Sequence, residues 1–151
     1  MEKKKQIAND LFFASVEEFL QEGRSVEMTV KGYSMRPFLR SERDVVTLAP
    51  LAADAPLRSG MVVLFRHQTK HILHRYVGER DGLCVMEGDG NYRLEEVVSR
   101  GEVIAYVSAV RLAGGQRLAY CDLRWRVRSL WSRGVKALRT LAVDVKHKIC
   151  K

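Results

Sequence analysis

The stretch SVEMTVKGYSMRP, residues 25–37, begins as a strand and ends as a turn. Apolar and polar side chains alternate from Val26 to Lys31, as they do on a strand with one buried face. Gly32 and Pro37 then supply the chemistry of a turn. The sequence therefore predicts a half-buried strand that leads directly into a turn carrying a serine.

Further runs of strand type follow this turn. They lie at residues 45–48, 61–65, 71–77, 83–87 and 103–112. Gly, Pro, Asp or Asn residues separate most of them, as in turns between short strands. This pattern predicts a mainly β, α+β fold whose core is a coiled sheet or partial barrel.

Amphipathic helices are predicted on both sides of the β core. Apolar residues recur at spacings of three to five over residues 6–22, and Gly23 closes that helix. A second, basic helix is predicted at about residues 121–149 from a 3.6-residue apolar period. Its apolar stripe comprises Leu123, Val127, Leu130, Trp131, Val135, Leu138, Leu141, Ala142, Val145 and Ile149. We therefore expect an N-terminal helix in residues 1–24, a core domain in 25–115 and a basic amphipathic C-terminal helix in 116–151.

The cysteines exclude two classes of small protein. Cys84, Cys121 and Cys150 are odd in number and widely spaced, and no CxxC pair occurs. This usage argues against a disulfide framework and against a zinc site, and it suits a reducing compartment. We expect neither a metal nor another cofactor.

The charge and the apolar runs bear on location and partners. The start of the chain, MEKKK, resembles the first part of an export signal, but polar residues such as Asp10 and Glu17 interrupt the apolar region after it. No apolar run approaches the roughly 20 residues that span a bilayer. We therefore expect a cytoplasmic protein. Its net charge of +8 favours an anionic partner, either nucleic acid or an acidic membrane surface.

Three separated segments carry the candidate chemistry. They read GYSMRPFL at residues 32–39, SGMVVLF at 59–65 with ILHRYVG at 72–78, and EGDGN at 87–91. Together they resemble the superfamily of signal peptidase I and the LexA-type self-cleaving repressors. That superfamily shares a Ser-Met-x-Pro box, a Gly-Asp-Val-Val-like strand, a Lys-Arg or His-Arg pair and a Gly-Asp-Asn turn. All four occur here in order, and the resemblance covers roughly residues 25–110.

The resemblance implies a set of site residues. Ser34 corresponds to the nucleophile and His74 to the general base, followed by Arg75 as a supporting residue. A histidine at this position is typical of the archaeal and endoplasmic-reticulum signal peptidases. The acidic residue that assists the histidine lies in or just after the Gly-Asp-Asn turn, where Asp89 and Glu95 both match.

These residue types suit acyl transfer to serine. A serine hydroxyl needs a base within hydrogen-bond reach, and imidazole can take the proton and return it to the leaving amine. A carboxylate on the other ring nitrogen would fix the tautomer. Backbone amides near Ser34 would stabilise the oxyanion. Gly32 would allow close substrate approach, Pro37 would stiffen the turn and Met35 would pack beneath the site.

Other candidate bases lie near His74. His71 is three residues away, so alternation along a strand places it on the opposite face. Lys70 shares the face of His74 but lies about 13 Å away along the strand. His67 is on the other face from both Lys70 and His74. The Arg-Tyr-Val-Gly sequence that follows the base in the superfamily follows His74 here.

Some positions depart from the superfamily pattern. Met61 stands where an aspartate is usual, and Gly90 interrupts the Gly-Asp-Asn turn. We expect neither a membrane anchor nor a DNA-binding helix-turn-helix before the core. We therefore expect a cytoplasmic serine peptidase that cleaves a separate protein or a leader-bearing peptide.

Two other classes of function are compatible with the sequence. One is a catalytically inactive module of the same fold that binds a peptide along a sheet edge. The other is a basic membrane- or nucleic-acid-associated protein. No RNP-like pattern or DNA-binding motif appears, which argues against nucleic acid. The C-terminal helix, with Trp125 or Trp131 beside arginines, could tether the chain to the inner membrane face, or its stripe could pack on the β core or on a second copy.

Overall fold

The computed structural model describes residues 2–149, with the side chains of residues 9–146. Two helices flank eight strands. In chain order the elements are α1 (Glu2–Gln21), β1 (Val26–Thr29), β2 (Val45–Pro50), β3 (Val62–His67), β4 (Lys70–Arg80), β5 (Leu83–Glu87), β6 (Glu95–Val98), a short 3₁₀ helix (Arg100–Glu102), β7 (Val103–Arg111), β8 (Arg117–Ala119) and α2 (Leu123–Ile149). Ile7 and Ile149, expected on apolar stripes, have side chains outside the described set, and Cys150 lies outside it entirely.

The strands form one antiparallel sheet in the order β1-β2-β7-β3-β4-β5-β6. Strand β7 is central because one of its edges pairs with β2 and the other pairs with β3 and then β8. The register shifts at Thr47/Leu48, Leu64/Phe65 and Tyr76/Gly78. Such irregularities bend and twist the paired strands. The sheet curls into a half-barrel, and β1 and β6 are its two ends.

Both faces of the sheet are buried at its centre. Val62 and Leu64 of β3 face a core that also contains residues of α1 and Trp125 of α2. Val63 and Phe65 face a second, smaller core. Burial on both faces explains why β3 is a continuous apolar run and not an alternating one. Side chains of consecutive residues in the neighbouring strand β4 likewise point to opposite faces of the sheet. This alternation separates the site residues that β4 carries.

Helix α1 covers the larger core. It buries Phe13, Val16 and Leu20 at spacings of three and four residues. The helix ends where Gly23, at φ +78°, adopts the left-handed conformation and its amide bonds to the Leu20 carbonyl. A single turn then leads into β1, which begins the approach to Ser34.

The coarse fold prediction is confirmed: the chain is α+β, with a curled antiparallel sheet between an N-terminal and a C-terminal helix. The run at 83–87 has the predicted bounds, and the other expected strands differ by a few residues. Strands β6 and β8 were not predicted. The first begins with two glutamates and shows no alternation, and the second is only three residues long.

The face that α2 presents to the body corrects the expectation that its apolar stripe could pack on the β core. Trp125, Ser129 and Ser132 are the buried residues of this helix. Most of the predicted stripe instead points away from the body, where Leu130 is 67% and Leu138 is 69% exposed. Trp125 packs in the larger core, and polar contacts hold the rest of the inner face. Within the described residues, no helix is long and apolar enough to cross a membrane.

Candidate active site

Ser34 lies in a tight turn that follows β1, and its side chain is half-buried. The amide of Arg36 bonds to the Tyr33 carbonyl at 3.1 Å, and the amide of Leu39 bonds to the Met35 carbonyl at 2.9 Å. Gly32 opens the turn at φ +89°, a conformation that glycine adopts without strain. The backbone therefore changes direction sharply at the candidate nucleophile.

Apolar side chains anchor this turn to the larger core. Met35, Phe38 and Leu39 are almost completely buried in it, so Met35 packs beneath the turn as expected. Helix α2 fixes the same segment from above, since Nε of Arg128 donates to the Phe38 carbonyl at 2.9 Å. The half-buried Pro37 completes the segment. The position of Ser34 is thus set by both the core and α2.

A second turn, residues 88–90, lies directly against the backbone of Ser34. The amide of Gly90 donates to the Ser34 carbonyl at 2.7 Å. A Cβ added at Gly88 would lie 2.5 Å from that carbonyl oxygen, and one at Gly90 would lie 2.7 Å from the Tyr33 carbonyl oxygen. No real Cβ approaches an oxygen so closely, so both glycines are required by this contact.

His74 is a buried residue of β4, with 3% of its surface exposed. It pairs with Val63 of β3, and its ring centroid lies 6.2 Å from that of Phe65, on the face of the smaller core. Its Nδ1 lies 2.7 Å from Oε2 of Glu96. A carboxylate on Nδ1 fixes the ring orientation and leaves Nε2 to act as acceptor.

The strand register relates His74 to the serine turn. Arg75 pairs with Glu87 across β4 and β5, and Gly88 follows Glu87 directly. Gly88 is the residue whose absent Cβ faces the Ser34 carbonyl. The serine turn therefore contacts the end of β5, next to the strand that carries His74.

The reactive atoms of both residues remain free. Among the described residues, the Ser34 hydroxyl and His74 Nε2 make no hydrogen bond, either to each other or to another group. Among the described side chains, every fully buried nitrogen or oxygen atom has a hydrogen-bond partner. Since the Ser34 hydroxyl and His74 Nε2 have none, neither atom is fully buried, although most of the His74 ring is covered.

Asp89, the first candidate for the residue that assists His74, has a different partner. Its two carboxylate oxygens accept from Nε and Nη2 of Arg75 at 2.8 and 2.6 Å, and the Ser132 hydroxyl also donates to it. Arg75 follows His74 on β4 and therefore points to the opposite face. Asp89 lies on the same face as Arg75, where its carboxylate compensates the charge of the buried guanidinium.

Arg75 is itself fully engaged. Besides Asp89, it donates to the Gly60 carbonyl at 2.8 Å and to the Ser129 hydroxyl at 2.7 Å, and it lies 4.8 Å from the Phe38 ring centroid. It therefore joins β4, the turn at residues 88–90 and α2 in one buried network. In these contacts Arg75 holds the turn at residues 88–90 and α2 against β4.

Glu95, the second candidate, also does not contact His74. It is exposed and bonds to Arg80, whose guanidinium lowers the pKa of the Glu95 carboxyl. Neighbouring residues of a strand point to opposite faces, so only Glu96 can reach His74. Glu96 was not among the predicted site residues because β6 was not predicted. In the structure, β6 pairs with β5 and aligns Glu96 with Met86.

The alternative bases are placed elsewhere. His71 stacks on Phe13 with ring centroids 4.2 Å apart, and its Nε2 lies 2.7 Å from Oε1 of Glu17 in α1. It therefore occupies the face opposite His74, as its position in the strand requires. Lys70 is exposed at the start of β4, and His67 is half-buried at the end of β3.

The most evident surface clefts are not at Ser34. Two of them follow α1; one is lined by acidic residues with Arg66 and His71, and the other by residues of α1, β2 and β7. Neither includes Ser34 or His74.

Among the described side chains, no group of three or more His, Cys, Asp or Glu could hold a metal ion. Cys84 is buried and Cys121 is exposed, and both are free thiols. Burial raises the pKa of the Cys84 thiol, with a smaller contribution from Glu79. Neither cysteine belongs to the serine turn.

No known protein-family model matches this chain, and no curated protein matches its sequence. The assignment of function therefore depends on the residues and contacts described above.

Proposed function

We propose that this chain is a serine endopeptidase with a catalytic core of the signal peptidase/LexA type. Ser34 is the nucleophile, His74 is the general base and Glu96 orients the imidazole. The observation that supports this most strongly is the carboxylate of Glu96 on Nδ1 of His74, on a strand whose neighbour β5 ends in the turn that bonds to the Ser34 carbonyl.

In the proposed reaction, Oγ of Ser34 attacks the carbonyl carbon of the scissile peptide bond while Nε2 of His74 takes the hydroxyl proton. The carbon becomes tetrahedral, and Glu96 stabilises the imidazolium. The intermediate then collapses, the C–N bond breaks and His74 gives its proton to the leaving amine. Water, activated by His74, hydrolyses the acyl-enzyme and restores Ser34.

The negative charge on the carbonyl oxygen needs donors close to Ser34. The backbone amides of Ser34 and Met35 make no hydrogen bond to any described group. Free amides beside the nucleophile are suitable for an oxyanion hole. The hydrogen bond from Gly90 to the Ser34 carbonyl holds the same peptide plane in place. Ser34 and His74 are not hydrogen-bonded in this state, which is common without substrate because such bonds tighten on binding.

The substrate class is proposed from the strand that leads to Ser34. Strand β1 is the end strand of the sheet and leads directly to Ser34, so an extended polypeptide can pair with its free edge. We propose a separate protein or a leader-bearing peptide as the substrate, in the cytoplasm. The same free edge supports a second candidate function: a module that binds a peptide without cleaving it.

Labelling with a fluorophosphonate probe separates the two functions, because an activated serine attacks the phosphorus of the probe, displaces fluoride and is phosphonylated. The full chain should incorporate one probe at Ser34, as located by peptide mass spectrometry. Ser34→Ala should abolish the labelling. Ser25→Ala is the matched control, since Ser25 is exposed, lies in the same segment and makes no side-chain hydrogen bond to a described residue. Labelling of the unsubstituted chain no greater than that of Ser34→Ala would refute the peptidase and favour the binding module.

A further inference from the structure

One face of α2 is apolar and exposed along most of its length. Its large apolar residues are between 53% and 74% exposed: Leu123, Val127, Leu130, Trp131, Leu138, Leu141 and Val145. This exceeds what a helix on the surface of a monomeric protein usually shows. We name these seven residues the outer stripe.

The outer stripe lies opposite the attached face of the helix. At about 100° per residue, the buried residues Trp125, Ser129 and Ser132 fall within one narrow sector. The outer stripe centres roughly 180° from that sector. From Leu123 to Val145 it is about 33 Å long. The body of the protein therefore cannot cover it without detaching α2.

Basic side chains border the outer stripe on both sides. Arg126 lies along one edge and Arg124 along the other, and Arg133 and Lys146 lie further round the helix on the same two sides. The whole helix carries eight Arg and Lys residues and one Asp. That aspartate, Asp144, is bonded to Tyr92 and Arg93 and so faces the body.

We propose that α2 docks this protein on the surface of an anionic lipid bilayer, with the outer stripe in the interface and the bordering arginines at the headgroups. An apolar face with basic borders and an interfacial tryptophan suits this position. A second copy of the chain is the poorer occupant, because pairing two stripes would bring the arginine borders together without acidic partners. Anionic lipids supply the opposite charge.

Docking in this manner would fix the candidate site relative to the membrane. The inner face of α2 holds both turns of that site, through Arg128 on the Phe38 carbonyl and Ser132 on Asp89. Lys136 adds a contact with Glu87. The two turns therefore lie on the side of α2 that faces away from the bilayer, open to chains close to the membrane. The docking itself does not depend on the peptidase proposal.

Flotation of the full chain with vesicles tests the proposal. The protein should float with vesicles of phosphatidylcholine containing phosphatidylglycerol, remain at the bottom with pure phosphatidylcholine, and float less at high salt. Leu130→Gln with Leu138→Gln should lower the bound fraction at limiting lipid by about tenfold or more, since two large apolar groups leave the interface. Leu11→Gln with Phe12→Gln is the matched control, because both residues are exposed on α1.

The charge contribution has its own variant. Arg126→Gln with Arg133→Gln should weaken flotation with anionic vesicles, whereas Arg43→Gln with Arg117→Gln, exposed arginines outside α2, should weaken it less. Circular dichroism checks the fold of each variant. Equal flotation of the Leu130/Leu138 variant and its control would overturn the proposal. So would absence of vesicle binding together with a dimer, measured by light scattering, that the Leu130/Leu138 change dissociates.

Discussion

Arg75 and Asp89 form a two-bond ion pair in which both side chains are almost completely buried, at 1% and 3% exposed. The pair joins β4 to the turn at residues 88–90, whose Gly90 amide bonds to the Ser34 carbonyl. In α2, the Ser129 hydroxyl bonds to Arg75 and the Ser132 hydroxyl bonds to Asp89. Removal of one partner from such a pair leaves a buried charge without compensation.

Asp89→Ala should therefore lower the free energy of unfolding by about 3–5 kcal/mol. Urea denaturation followed by circular dichroism measures this difference. The control is Glu95→Ala, which removes the exposed partner of Arg80 and should change stability little. Equal effects of the two substitutions would show that the buried network does not hold the turn.

The pairing of Glu96 with His74 predicts a large kinetic difference between neighbouring glutamates. Glu96→Gln should slow phosphonylation of Ser34 by the fluorophosphonate probe by about a hundredfold or more, because the imidazole loses its orienting carboxylate. The Glu95→Gln variant should be labelled at the same rate as the unsubstituted chain, since Glu95 faces Arg80. The measurement is the second-order labelling rate of each variant. A Glu96→Gln rate equal to that of Glu95→Gln would remove Glu96 from the proposed mechanism.

The sequence predicts the elements better than it predicts the partners of the site residues. Alternation and helical periods depend on neighbouring residues, so both helices and most strands could be identified from them. The partner of His74 depends on how two strands pair across the sheet, and a shift of one residue exchanges Glu95 for Glu96. Local patterns contain no information on that register where a strand such as β6 does not alternate.

The same limit applies to α2. Its 3.6-residue apolar period was read correctly as a helix, yet the period alone does not indicate which face contacts the body. Three residues attach the inner face to the body: Trp125 contacts Phe38, Arg128 bonds to the serine turn and Ser132 bonds to Asp89. These contacts join residues more than 40 positions apart in sequence. Only the folded chain brings them together.

The two described cysteines should differ in reactivity. Burial raises the pKa of the Cys84 thiol, so little thiolate forms there at pH 8 and the sulfur is also covered. Cys121 is exposed and should react with iodoacetamide first, as followed by peptide mass spectrometry. Because the folded state holds the Cys84 proton more tightly, the associated stability is present at neutral pH and is lost as the pH rises above the ordinary thiol value. Labelling of Cys84 as fast as Cys121 in the folded chain would contradict this.

The close approach of Gly88 to the Ser34 carbonyl predicts that a single methyl group displaces the nucleophile. Gly88→Ala would place its Cβ 2.5 Å from a backbone oxygen that is fixed by the Gly90 amide, so one of the two turns must move. We expect a loss of about 1–3 kcal/mol in unfolding free energy and a much larger loss of probe labelling at Ser34. Gly114→Ala is the control, because nothing lies within 4 Å of a Cβ built there. Full labelling of Gly88→Ala would mean that the turn at residues 88–90 does not position Ser34 for reaction.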